Sequence, residues 1–241
     1  MNTTIANLTA PVSPSSTERA KKLPRAKHVV PGRQFRSLAS RIISLRGDVL
    51  TNKTIGVASC SRNEGNSTVA SNLAVAINAA VQGEVLLVDC VEPSKSQSKR
   101  RNHVGWFDFV FGEAELLDII QSTDCPKLSV ISAGLPIWHD GATYSRDRLT
   151  NVVQLLKERF EFVVFDLPCA DDMTGCMPIA GVLDGVILNL KSGRSNSSKA
   201  SRIQRDFQLE GAHVVGVVLN QTQSHVPRLL RYIFGESESS I

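Results

Sequence analysis

The apolar run Ile55–Ser59 leads into Cys60-Ser-Arg-Asn-Glu-Gly65-Asn66-Ser67-Thr68, and the chain then enters a segment with Val69, Leu73, Ala76, Ile77 and Ala80 at helical spacing. A strand, a tight turn and a helix start in that order make a cradle for phosphate. Backbone N–H groups and the positive end of the helix converge on an anion, and a Ser or Thr hydroxyl just inside the helix can bind Mg²⁺. The usual pattern is G-x-x-x-x-G-K-[ST]. Gly65, Ser67 and Thr68 fit it, whereas Cys60 stands at the first glycine and Asn66 at the lysine. That lysine sets a full positive charge against the β- and γ-phosphates, which the neutral and shorter Asn66 does not supply. The candidate nucleotide contacts in this stretch are Arg62, Glu64, Gly65, Asn66, Ser67 and Thr68, with phosphoryl transfer expected to be impaired.

Two further runs carry carboxylates. Leu86-Leu-Val-Asp89 and Phe162-Val-Val-Phe-Asp166 are apolar strands that each end in an aspartate. In open α/β sheets the ligand crevice lies beyond the carboxyl ends of the strands. Two carboxylates there can hold Mg²⁺, directly or through water, and orient an attacking group. Ser67, Asp89 and Asp166 are therefore the candidate metal ligands, and Asp89 the candidate catalytic residue. Each aspartate alone also suits a helix N-cap or a turn. The phosphate turn and both carboxylates in sheet order are harder to assign to turns alone.

The elements that must position these groups follow from the apolar pattern. Ile55–Ser59, Val85–Val88, Leu128–Ser132, Phe162–Phe165, Val186–Leu190 and Val214–Leu219 read as strands, separated by helical segments at Phe35–Leu45, Leu149–Arg159, Ser198–Leu209 and Pro227–Ile233. Gly83 is placed to stop the helix that follows the phosphate turn. This alternation predicts an α/β fold with one doubly wound, mostly parallel sheet of about six to seven strands and helices on both faces. Residues 1–31, rich in Ser, Thr, Pro and Lys, read as a disordered basic leader, 32–234 as the folded domain and 235–241 as an acidic tail.

A chain of 241 residues with 42% hydrophobic content can bury one sizeable core. No run approaches a membrane span, and the first twenty residues lack a secretion-signal core, so a cytoplasmic location is expected. Five cysteines without C-x-x-C spacing suggest neither a disulfide framework nor a zinc site. The net charge of +4 is uneven: residues 1–53 hold ten Lys/Arg against Glu18 and Asp48, or +8, which leaves −4 for the rest. Such an arm either remains solvated or touches anionic lipid, nucleic acid or an acidic partner.

Taken in order, these segments resemble the bacterial tyrosine kinases that regulate capsule and exopolysaccharide chain length, within the P-loop NTPase group that includes septum-site and plasmid-partition ATPases. The resemblance spans about residues 32–234. Gly105-Trp-Phe-Asp108-Phe-Val-Phe-Gly112 is similar to that family's G-L-x-D-x-L-x-G, and Ile131-Ser-Ala-Gly134 to its strand ending in A-G. Val182-Leu-Asp184-Gly185-Val-Ile-Leu resembles V-D-G-V-I-L-V, and Gly211-Ala-His-Val-Val-Gly216-Val-Val-Leu-Asn220 resembles G-x-x-V-x-G-V-V-L-N. In the wider group the last asparagine contacts the adenine base, a role the resemblance passes to Asn220.

The departures fall on the chemistry. Arg36 fits the family's E-x-x-R-x-x-R assembly pattern, while Arg33 and Ala39 occupy its other two positions. The family's D-A-D-x-R-x-P appears as Asp89-Cys90-Val91-Glu92-Pro93, and its D-[ST]-P-P as Asp166-Leu167-Pro168-Cys169. A tyrosine-rich tail is absent, Tyr144 and Tyr232 being the tyrosines of the chain. The resemblance implies ATP and Mg²⁺ as cofactors, weakened or lost, and a membrane-spanning polysaccharide chain-length or export protein as partner. Peripheral contact with the plasma membrane through the basic arm would accompany it. One alternative is an active kinase or ATPase with a substitute cation, for which Arg62, Lys191 and Arg194 are candidates. The other is a partition-type protein binding DNA nonspecifically; the arm lacks interleaved aromatics, which argues against DNA.

Overall fold

The computed structural model describes residues 31–45, 54–91, 104–134, 145–171, 173–193 and 197–221. Residues 1–30 of the expected leader, the helix at Pro227–Ile233, the acidic tail, Glu92, Pro93, Tyr144, Arg194 and Tyr232 lie outside them. In chain order the elements are α1 (Arg33–Ser44), β1 (Thr54–Ser59), α2 (Asn66–Asn78), β2 (Val85–Asp89), α3 (Trp106–Phe111), α4 (Leu116–Ile119), β3 (Ile120–Ser122), β4 (Leu128–Ile131), α5 (Arg146–Arg159), β5 (Phe162–Asp166), α6 (Met173–Ala180), β6 (Gly185–Lys191), α7 (Ser197–Leu209) and β7 (Val214–Asn220).

The strands form one seven-stranded sheet in the order β3-β4-β2-β5-β1-β6-β7. All neighbours are parallel except β3, which runs antiparallel to β4 at the edge. β1 is buried along its whole length because β5 and β6 flank it and both faces are covered. Side chains alternate between two cores, as strand pleating requires. Ile55, Val57, Phe162 and Val164 pack with Ala39 and Ile42 of α1 and Val69, Leu73 and Ile77 of α2. Ala58, Val163 and Phe165 face the other way, toward Trp106, Leu149, Val153, Ile203 and Phe207. Chain order and sheet order diverge at β1: the chain leaves it toward β2 on one side and later reaches β6 on the other. That switch opens a crevice at the carboxyl ends of β1 and β5.

The parallel core matches the expected architecture, with boundaries moved by a residue or so, and β3 is added. Ile120-Gln-Ser is too short to show an alternating pattern, and its pairing with Ser129–Ile131 makes it a strand. The helix after β1 ends at Asn78, five residues before Gly83. The aromatic run 106–111 forms a helix because Asp108 Oδ2 accepts the Gly105 N–H at 2.7 Å and Gly112 closes the end in the left-handed conformation.

Gly105 also lets that helix dock on the end of β4. A Cβ there would lie 2.2 Å from Ser132 O and 2.4 Å from Gly134 N, both backbone atoms. Gly105→Ala should therefore destabilise by about 3 kcal/mol, the upper part of the range for overpacking a core. For a domain of this size that lowers the thermal midpoint by roughly 6–12 °C. Gly216→Ala, whose new Cβ meets nothing within 4 Å, is the control in the same melts; equal midpoints for the two variants would contradict the packing account.

Candidate functional site

Past Ser59 the chain makes a loop, Cys60–Gly65, that delivers it to the first residue of α2. Two residues of this loop are left-handed, Asn63 at φ 64° and Gly65 at φ 82°. At Gly65 the requirement is double, since a Cβ there would also lie 2.5 Å from Asn220 Nδ2. The loop is held from within and from the far sheet edge. Glu64 is 3% exposed, and its Oε2 accepts the N–H groups of Cys60 (2.9 Å) and Ser61 (3.1 Å). Its carbonyl accepts hydrogen bonds from Asn189 Nδ2 of β6 (3.1 Å) and Asn220 Nδ2 of β7 (3.0 Å). Burial and the nearby Glu64 carboxylate push the Cys60 thiol up to about 11, so it stays protonated.

The amides opening α2 have no side-chain cap, and no acidic residue stands in the first turn. Ser67 and Thr68 are exposed there. This end keeps the anion-binding character of an uncapped helix N-terminus. Asn66 points elsewhere: its Nδ2 donates to Val57 O (2.8 Å), Asp166 Oδ1 (2.9 Å) and Leu167 O (2.9 Å). With three oxygens around it, that end of the amide can only be the nitrogen. Its Oδ1 is buried and has no hydrogen-bond partner. The group standing at the loop-lysine position thus ties β1 to β5 beneath the loop.

The two strand-end aspartates are brought together. Asp89 and Asp166 are register partners on adjacent strands. Asp89 Oδ1 accepts the Val91 N–H at 2.9 Å, as a turn residue would. Asp166 is 5% exposed, and burial, aided by the Asp89 charge, raises its pKa to about 7. Hydrogen bonds from Ser67 and Asn66 pull it partly back. Ser67, Asp89 and Asp166 form a hard-oxygen set that fits Mg²⁺, an ion that keeps several waters and needs few protein ligands.

Asn220 reaches the loop, where its amide is engaged with Glu64 O and its Oδ1 accepts the Gln221 N–H. Of the candidate substitute cations, Arg62 is exposed on the loop and Lys191 ends β6 in register with Asn220. Sequence reasoning missed two residues. Asn189, fully buried, was signalled by a lone amide in the apolar run Val186-Ile-Leu-Asn-Leu. Lys199 of α7 carried no signal: its Nζ lies 2.6 Å from Ser61 Oγ and 2.7 Å from Asp171 Oδ1.

No family model matches this chain. It is 25% identical over 179 residues to the tyrosine-protein kinase CpsD of Streptococcus agalactiae, covering 73% of this chain and 77% of that protein. It is also 25% identical over 181 residues to the succinoglycan biosynthesis transport protein ExoP of Rhizobium meliloti, covering 70% of this chain and 22% of that much longer protein. Among solved structures, the kinase domain of the Escherichia coli tyrosine kinase ETK superposes with a TM-score of 0.68 at 18% identity, over 80% of this chain and 78% of that one. The septum site-determining protein MinD from Pyrococcus horikoshii, solved with Mg-ADP, superposes at 0.54 and 21% identity, over 74% and 75%. The fold is that of the P-loop NTPases, and the curated relatives are bacterial tyrosine kinases and a polysaccharide transport protein.

Proposed function

We propose that this chain is a regulator of exopolysaccharide or capsule biosynthesis, derived from a bacterial tyrosine kinase, whose nucleotide site still takes Mg·ATP weakly but transfers phosphate poorly or not at all. The observation that carries the reading is Asn66, neutral and bound to Val57, Leu167 and Asp166 at the place of the loop lysine. In this reading the amides at the start of α2 hold the phosphates, Ser67, Asp89 and Asp166 hold Mg²⁺, and Asn220 meets the base. Bound Mg²⁺ would supply charge neutralisation at the transferring phosphoryl group. Loss of one preorganised charge-stabilising donor lowers turnover by roughly 10²–10³-fold.

The names of the relatives support the kinase lineage and the polysaccharide context. A membrane-spanning chain-length or export protein is the proposed partner, met at the cytoplasmic face of the plasma membrane, with the basic N-terminal arm assisting through anionic lipid. Among the described residues no helix is long and apolar enough to cross a membrane. Purified full-length chain should bind Mg·ATP weakly in calorimetry and release or transfer phosphate at a rate indistinguishable from an Asp89→Ala variant. Robust turnover abolished by that substitution would show a working enzyme instead.

A further inference from the structure

We infer that Lys199 is the cation that meets the terminal phosphate of a nucleoside polyphosphate in this site, taking over from outside the loop the charge that Asn66 does not carry. The inference rests on the reading that the loop still receives a nucleotide.

Lys199 is the third residue of α7, 138 positions beyond the loop serine it touches. Its ammonium donates to Ser61 Oγ at 2.6 Å and meets both Asp171 oxygens, at 2.7 Å and 2.8 Å. Ser61 is the second loop residue, and its own N–H is held by Glu64. Three segments meet at this point: the loop after β1, the turn after β5 that carries Asp171, and the helix after β6. These strands are adjacent in the sheet in the order β5-β1-β6. Their carboxyl ends form the crevice to which the uncapped amides of α2 also open.

The contact has little value as a brace. The Lys199 and Asp171 side chains are 32% and 49% exposed, and ion pairs this open contribute between nothing and about 1 kcal/mol. What the clasp does achieve is placement: Asp171 keeps a long, flexible ammonium at the rim of the loop. A carboxylate carries one charge, whereas a terminal phosphate carries more and presents three oxygens, so the phosphate is the stronger partner for the same N–H donors. The Lys199 charge is felt inside the loop, where it opposes the upward push of Glu64 and Asp171 on the Cys60 thiol. It also offsets the Asp171 carboxylate that it clasps, which would otherwise repel an incoming polyanion at the loop rim.

Calorimetric titration of the full chain with Mg·ATP and Mg·ADP, repeated for Lys199→Met, Lys199→Arg and Asp171→Asn, tests this. Lys199→Met should weaken Mg·ATP at least tenfold and Mg·ADP less, Lys199→Arg should retain most of the affinity, and Asp171→Asn should leave it equal or tighter. Weak wild-type binding that Lys199→Met leaves unchanged would overturn the inference while the nucleotide reading stands. Equal losses in Lys199→Met and Asp171→Asn, with equal drops in melting temperature, would assign the pair to structure and overturn it too. A wild-type chain that binds neither nucleotide would remove the nucleotide reading itself, and the inference with it.

Discussion

Asn66→Lys should tighten Mg·ATP binding at least tenfold and raise phosphate release or tyrosine phosphorylation by about 10²–10³-fold, the size of effect that one preorganised charged donor has in comparable sites. Gly65 is left-handed, the first turn of α2 is uncapped, and Asp89 and Asp166 are register partners at the strand ends. The substitution removes the Asn66 amide from three oxygens, but Val57 O still accepts the Leu167 N–H at 2.9 Å, so one tie between β1 and the end of β5 remains. A lysine ammonium at residue 66 would also favour ionisation of Asp166, readying it for a metal. Calorimetry and a phosphate-release assay on wild type, Asn66→Lys and Asn66→Lys/Asp89→Ala would check it. An Asn66→Lys chain no more active than wild type would contradict the assignment of this effect to residue 66.

The second large effect concerns pH. Asp166 has a pKa of about 7 in the folded chain, against 3.8 for an unhindered aspartate. Between roughly pH 4 and pH 7 the folded state therefore holds a proton that the unfolded chain has released. Stability from this group falls as pH rises through that window, by up to about 1.4 kcal/mol per unit, and levels off above it. The whole difference is of the order of 4 kcal/mol at pH 8. Asp166→Asn removes the buried charge while its amide oxygen can still accept from Asn66. It should be more stable than wild type by a few kcal/mol at pH 8 and nearly equal at pH 4, as read from urea midpoints across that range. Parallel pH profiles for the two proteins would contradict the buried-carboxyl account.

Much of this was legible in the sequence because it is written locally. β1, β2, β5 and β6 are apolar, β-branched runs of the kind a doubly covered parallel sheet requires, β7 is an equally apolar run at the sheet edge, and Asp89 and Asp166 end two of the inner strands. The turn between β1 and α2 was legible as a strand, a glycine and two hydroxyls in a row. β3 was not, since three residues carry no period, and its identity comes from β4 beside it. The partners of Asn66 were equally hidden. Asp166 and Leu167 lie 100 and 101 positions away, and only the β1–β5 register brings them beneath the loop. Lys199 is the extreme case, its position fixed by where α7 begins after β6 rather than by any motif.

The inward clamp of Glu64 alters what an arriving ligand has to accomplish. Ordering a flexible turn costs about 1–2 kcal/mol per residue in backbone freedom. Here the carboxylate and the two asparagine amides meet that cost while the chain folds, so the cradle is cast before any guest arrives. A loop held in this way presents its amides already spaced, so association need not be weakened by the cost of arranging them.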